Sequence, residues 1–235
     1  MVNRYCKDMI YKIFPGHCIL CDLPSGRQLD LCSACENELP WLGPHCQYCA
    51  LPLAKQDAYN VCGQCLRKPP YFSHCYTALR YDFPVDHLIT GFKHRRKLNY
   101  GAILSQIWLD NLGADLDSIP DALIPVPLHW RRRLLRGFNQ SELLAEDFSR
   151  ALNIPICRAI SHPQATVSQQ GLSAAARRTN LHKAFHFKPE YKIDGLHLAI
   201  VDDVVTTTAT ANTLAAILAR NGARQVDIWC LARTP

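Results

Sequence analysis

The stretch LAIVDDVVTTTAT, residues 198–210, decides the fold. It opens with a continuous apolar run, which is typical of a strand buried on both faces of a parallel sheet. Two adjacent carboxylates, Asp202 and Asp203, and then a hydroxyl-rich turn follow this run. Because ligands of such sheets bind at the carboxyl ends of the strands, this order of residues predicts a ligand site at residues 202–210.

The turn at residues 206–210 has the chemistry of a phosphate site. It offers hydroxyls and backbone N–H groups where a helix begins, and the partial positive charge there favours an anion. The two carboxylates can accept hydrogen bonds from ribose hydroxyls or help to hold Mg²⁺. A simpler interpretation is that the threonines only cap the helix and that the aspartates are solvated.

Strand and helix patterns alternate along the rest of the chain after residue 70, and several strands are uninterrupted apolar runs. This alternation predicts an α/β fold, a parallel sheet with helices on both faces. Strands are predicted at 75–81, 122–128, 197–203 and 225–232, and helices from about 84, at 100–113, at 139–152 and at 209–221.

The N-terminal segment has a different composition, dominated by cysteine. Eight of the 12 cysteines form four CxxC pairs, spaced as C-x2-C-x10-C-x2-C and C-x2-C-x12-C-x2-C. Two such turns complete a tetrahedral zinc site, so two structural zinc ions are predicted. Sequential pairing would give two stacked zinc ribbons, and a cross-braced pairing is the alternative. The predicted ligands are Cys18, Cys21, Cys32 and Cys35 for one ion and Cys46, Cys49, Cys62 and Cys65 for the other.

The Pro69-Pro70 pair marks the change in composition and predicts two domains, a double zinc ribbon at 1–70 and the α/β domain at 71–235. The sequence has no apolar signal region and no run long enough to span a membrane, which favours a cytoplasmic protein. Its formal charge of +6 is weak evidence for nucleic-acid binding, because two zinc–tetrathiolate sites would reduce it to roughly +2. The basic clusters are local: residues 93–97, 131–136 and 177–178.

Four ordered motifs resemble the ComF family, which includes DNA-utilisation proteins and has a type I phosphoribosyltransferase-like domain. The quoted stretch resembles the ribose-phosphate signature of that fold. IPVPLHWRRRLLRGFNQSELLA (124–145) and QQGLSAAARRTNLHKAF (169–185) resemble two further family segments, and the cysteine pairs resemble the family's double zinc ribbon. The resemblance covers nearly the whole chain and implies phosphoribosyl pyrophosphate (PRPP) with magnesium as ligand.

The resemblance also implies roles for individual residues. Asp202 and Asp203 would face the ribose as the catalytic pair, and Arg177 and Arg178 would lie on a loop that closes over the ligand. The 5′-phosphate would be held by Thr206, Thr207, Thr208, Ala209 and Thr210, and the pyrophosphate by Arg132, Arg136 and Gly137. For Arg131 and Arg133 a solvated surface is the favoured interpretation, and for residues 93–97 solvated surface and nucleic-acid contact are equally weighted.

Thr208 departs from related loops, which place glycine at its position. If the backbone there needs a positive φ, a β-branched residue is strained by roughly 1–2 kcal/mol, which is about a factor of ten in affinity. The sequence therefore predicts weaker PRPP binding than in a Thr208→Gly variant, provided that this conformation occurs.

Three functions fit the sequence. The resemblance implies a role in the uptake or utilisation of extracellular DNA, with PRPP as ligand and single-stranded DNA and DNA-processing proteins as candidate partners. Tyr48, Tyr71, Phe72 and Tyr76 are candidates to stack on bases, although each is more typical of a core. The alternatives are an active phosphoribosyltransferase that acts on a nitrogenous base and a regulator that senses PRPP.

Overall fold

A five-stranded parallel sheet forms the centre of the molecule in the computed structural model, which describes residues 16–54, 60–113, 116, 118–163 and 184–235. Its strands are β1 (Cys75–Tyr76), β2 (Leu79–Arg80), β3 (Ala122–Pro125), β6 (His197–Val205) and β7 (Gln225–Arg233). β6 and β7 lie in the middle of the sheet, β3 pairs with β6 at one edge, and the short β1 and β2 both pair with β7 at the other. A separate antiparallel pair joins β4 (Ile160–Ser161) to β5 (His186–Phe187).

Both faces of the sheet are covered, as the apolar runs predict. Successive residues of β6 enter different cores: Leu198 and Ile200 face one, and Ala199 and Val201 face the other. Helices α3 (Val85–His94), α4 (Leu98–Leu112) and α6 (Gln140–Leu152) supply the second core, where Trp108, Phe148 and Trp229 pack together. Helix α7 (Ala209–Arg220) packs in the first core, and α5 (Trp130–Arg136) buries no residue.

The N-terminal ribbons contain two one-turn helices, α1 (Ser33–Asn37) and α2 (Gly63–Arg67), each preceded by a cysteine whose sulfur accepts an amide hydrogen bond. The second ribbon packs directly against the side chains of the sheet. Cys46, Cys49 and Phe72 belong to the same apolar core as Ile200 and Ile228. The predicted domain boundary at residue 70 therefore separates two segments of the chain whose side chains pack in the same core.

The predicted helices at 100–113, 139–152 and 209–221 and the strand at 225–232 are confirmed to within two residues. The strand predicted at 75–81 is interrupted between β1 and β2. The strand predicted at 122–128 ends at Pro125, because Pro127 has no N–H with which to extend the pairing after Val126. β6 continues to Val205, two residues past its predicted end, so both aspartates lie inside the strand and not at its end. None of the described helices has the length and apolar character to cross a membrane.

Candidate functional site

A pocket of about 620 Å³ opens where β3 ends and β6 continues. Pro125 pairs with Val201, the last pair between β3 and β6, so Asp202 and Asp203 lie beyond the end of β3 while β6 stays paired with β7. The pocket joins these carboxylates to residues from four helices, α3, α5, α6 and α7, and from the loop that follows β3. Its walls include Lys93, His129, Arg132, Arg136, Gln140, Ser141, His162, Phe185 and Thr210.

The two carboxylates differ in environment. Asp203 is almost fully buried and pairs with Lys93, whose Nζ lies 2.9 Å from Asp203 Oδ1. Asp202 accepts hydrogen bonds from Ser141 Oγ at 3.2 Å and from the Asp203 amide at 2.8 Å. Burial and the adjacent Asp203 charge nevertheless raise the pKa of Asp202 to about 7. A magnesium ion or a cationic ligand group would favour its ionised form.

This raised pKa makes stability depend on pH. Between pH 4 and 7 the folded state binds a proton at Asp202 that the unfolded state releases, so stability falls as pH rises through that window. An Asp202→Asn variant keeps an acceptor and never ionises. We expect it to match the wild type near pH 4 and to exceed it by on the order of 1–3 kcal/mol at pH 8, measured by urea unfolding. An equal difference at both pH values would contradict this account.

Helix α5 places its arginines unequally. Arg132 and Arg136 line the pocket, although Arg132 is also exposed. Arg131 and Arg133 are exposed and do not line it, as predicted for a solvated surface. Burial lowers the pKa of Arg136 and the nearby Asp203 charge opposes this, so Arg136 is a poorly solvated cation suited to an anionic ligand. Gly137 ends α5 with φ of 85°, which favours glycine, and so shapes the turn into α6 without lining the pocket.

The hydroxyl turn is only partly in contact with the pocket. Thr210 lines it, and Thr206 and Thr207 are exposed. Thr208 caps α7 in the left-handed region, with φ of 58° and ψ of 0°, and donates its hydroxyl hydrogen bond to the Thr207 carbonyl at 2.6 Å. The condition for strain is therefore met at the residue that replaces the expected glycine.

A buried arginine that the sequence analysis did not single out holds this turn in place. Arg233, at the end of β7, is 4% exposed and donates to the carbonyls of Val205 and Thr206. Its Nε also donates to the carbonyl of Cys49 in the second ribbon at 2.9 Å. The guanidinium thus connects a zinc ribbon to the turn after β6. In the sequence, this connection is indicated only by a single arginine at the end of an apolar strand.

Two interpretations of surface residues need correction, and one prediction falls outside the described structure. Lys93 is not solvated surface, because it pairs with Asp203 inside the pocket. The other members of its cluster are exposed. Phe72 is 3% exposed and cannot stack on a base, whereas Tyr71 is 55% exposed.

The sequence did not single out Trp130, which is 52% exposed and lies beside Arg131. Arg177 and Arg178 lie outside the described residues.

The cysteines assemble as two tetrads with sequential pairing, and not cross-braced. Sulfurs on a tetrahedron around zinc, with Zn–S bonds of about 2.3 Å, are about 3.8 Å apart. Cys21 and Cys32 sulfurs lie 3.9 Å apart, and those of Cys49 and Cys62 lie 3.7 Å apart. Both donor sets therefore fit a structural zinc ion. Four thiolates leave no open position for catalysis, so zinc here would supply folding energy.

Comparison with known proteins identifies the N-terminal ribbons. Residues 9–66 match the family model described as a double zinc ribbon domain. Solved structures with weak similarity include a purine phosphoribosyltransferase from Pyrococcus horikoshii, which is 18% identical with a TM-score of 0.33 and aligns over 68% of this chain and 79% of that one.

Two relatives are similar over most of their length. DNA utilization protein YhgH of Escherichia coli O6:H1 is 39% identical over 229 residues, which cover 94% of this chain and 98% of the relative. Competence protein F of Haemophilus influenzae is 34% identical over 223 residues, which cover 86% and 90%. This chain therefore belongs to the ComF family of DNA-utilisation and competence proteins, with a double zinc ribbon preceding its parallel sheet.

Proposed function

We propose that this protein binds PRPP with magnesium in the pocket at the end of β6 and acts in the uptake or utilisation of extracellular DNA. One observation carries the first half: the adjacent carboxylates of Asp202 and Asp203 and the arginines Arg132 and Arg136 line the same pocket as Thr210. Carboxylates suit a ribose diol and magnesium, and arginines suit phosphate oxygens. The names of the relatives support the second half.

A surface for single-stranded DNA adjoins the pocket. Helix α5 presents Trp130 to solvent with the Arg131 guanidinium 5.3 Å from its ring centre, and Arg133 is exposed on the same helix. An exposed aromatic ring among arginines provides both base stacking and phosphate contacts. We infer that this helix, more than the tyrosines near the ribbons, is where a nucleic-acid strand binds.

A second function, phosphoribosyl transfer, is favoured by one feature of the pocket. The rings of His162 and Phe185 pack edge to face, 4.8 Å between centres, and both residues line the pocket that holds the carboxylates. A planar acceptor could lie against such a wall while pyrophosphate leaves C1 of the ribose. Catalysis would then rest on positioning and on electrostatic stabilisation of the developing cation.

Three assays on the purified protein separate these functions. Calorimetric titration with magnesium and PRPP tests the ligand, with ribose 5-phosphate as a partial ligand for comparison. Pyrophosphate release in the presence of a panel of bases tests transfer, and base-dependent turnover would defeat the non-catalytic role. Gel retardation of single-stranded DNA should weaken steeply with salt and should be lost in a Trp130→Ala/Arg131→Ala variant. Absence of PRPP binding at millimolar ligand would refute the proposal.

The strained backbone of Thr208 leads to a prediction about PRPP affinity, which the same calorimetric titration measures. A Thr208→Gly variant removes the side chain that is strained at positive φ, so we expect it to bind PRPP up to about tenfold more tightly. Thr208→Ala is the matched control, because it removes the hydroxyl and keeps a Cβ in the left-handed region. If both variants bind PRPP with the same affinity, strain is not what limits binding at this turn.

A further inference from the structure

Two side-chain nitrogens in the pocket wall have no described role. His129 is 6% exposed and Gln140 is 2% exposed, and both line the pocket. The Nε2 atom of each is buried and makes no hydrogen bond to the protein. A buried polar atom without a partner is costly, and in native structures it often marks a place where a ligand completes the bonding.

The hydrogen bonds that these side chains do make show that both nitrogens are donors. The Arg131 amide donates to His129 Nδ1 at 3.3 Å and so caps α5. Since Nδ1 is the acceptor, the hydrogen of the neutral ring lies on Nε2. Arg136 Nη1 donates to Gln140 Oε1 at 2.9 Å, which fixes the amide with its NH₂ group as the unpaired end. The pocket therefore contains two donors that need acceptors.

The surroundings indicate which part of a ligand supplies those acceptors. In the proposed binding mode, Asp202 and Asp203 accept hydrogen bonds from the ribose hydroxyls, and the turn that includes Thr210 binds the 5′-phosphate. Gln140 is bonded to Arg136, and His129 begins the helix that carries Arg132 and Arg136. Gln140 is also the first residue of α6, where the helix dipole favours negative charge. The two donors therefore lie on the same side of the pocket as its arginines.

We propose that His129 Nε2 and Gln140 Nε2 donate hydrogen bonds to oxygens of the pyrophosphate group, as an uncharged pair beside Arg132 and Arg136. This inference rests on the proposed function and adds two binding residues to it. The pair would give directional bonds without placing a further cation beside the poorly solvated Arg136. It would also distinguish pyrophosphate from a ligand that lacks acceptors at those positions.

Each donor has variants that separate binding from structure. His129→Asn keeps an acceptor near the Nδ1 position, so α5 stays capped, and it removes the Nε2 donor. His129→Gln keeps a donor near the Nε2 position. Gln140→Glu keeps the acceptor for Arg136 and replaces the amide donor with a carboxylate oxygen. Thermal unfolding of every variant tests whether the fold is retained.

The probes are magnesium pyrophosphate, PRPP and ribose 5-phosphate, titrated calorimetrically into the full-length protein. We expect His129→Asn to bind pyrophosphate and PRPP roughly tenfold to hundredfold more weakly and ribose 5-phosphate as the wild type does. Gln140→Glu should lose still more, and His129→Gln should stay within a few-fold of the wild type. If the wild type binds none of the three probes, the proposed function fails. If it binds PRPP and the His129→Asn and Gln140→Glu variants bind pyrophosphate equally well, only the donor pair is refuted.

Discussion

Loss of the second zinc site is expected to unfold the sheet as well as the ribbon. Cys46, Cys49, Cys62 and Cys65 are all buried and belong to one core with β6, β7 and α7. Binding of structural zinc supplies about 10–16 kcal/mol, comparable to the roughly 5–15 kcal/mol of total stability typical of a protein. A Cys65→Ser variant should therefore lack a cooperative unfolding transition, measured by circular dichroism on heating.

The control is Cys157→Ser, a half-buried cysteine outside both tetrads, which should leave zinc content and unfolding nearly unchanged. Metal analysis should give two zinc ions for the wild type and for this control. A strong chelator should reproduce the Cys65→Ser effect in the wild-type protein. A Cys65→Ser protein that holds one zinc ion and unfolds at the wild-type temperature would show that the sheet is stable without the second site.

Replacement of Arg136 is expected to have the largest effect on ligand affinity. Arg136 lines the pocket, is partly desolvated and orients Gln140. Hydrogen bonds between charged groups contribute about 1.5–3 kcal/mol each, and two to one phosphate would make Arg136→Met at least roughly a hundredfold weaker for PRPP. Calorimetric titration with magnesium present measures the change.

Arg131→Met is the matched control, because Arg131 lies on the same helix, is exposed and does not line the pocket. We expect its PRPP affinity to stay within about twofold of the wild type, while its affinity for single-stranded DNA falls. Equal PRPP affinities for the two variants would mean that the cationic side of the pocket does not bind the ligand.

The fold was largely predictable because its determinants are local. The apolar run of β6 and the helical periodicity of α4, α6 and α7 follow directly from residue order, and the cysteine spacing predicts the tetrads. Helix α5 escaped prediction because periodicity marks helices through a buried stripe, and α5 buries nothing. Lys93 was misassigned because its pairing with Asp203 depends on how α3 packs against the sheet, which one basic cluster in a sequence does not reveal.

The site was predictable in part. Asp202, Asp203, Arg132 and Arg136 meet in one pocket, as the motif order suggests. His129 and Gln140 could not be singled out, since a histidine and a glutamine where helices begin are ordinary until their unpaired atoms are seen. The left-handed backbone of Thr208 could be stated only as a condition, because threonine rarely adopts it and the residue type gives no warning.

Arg233 has a consequence for how this family can be engineered. Its guanidinium binds the Cys49 carbonyl and the carbonyls of Val205 and Thr206 at once. A ribbon grafted from another protein would have to present a carbonyl at the same place, or a buried cation would be left with fewer acceptors. The ribbons and the sheet are therefore not independent modules. A chimera that joins them at residue 70 should fold only when it keeps both this arginine and the ribbon carbonyl that accepts its hydrogen bond.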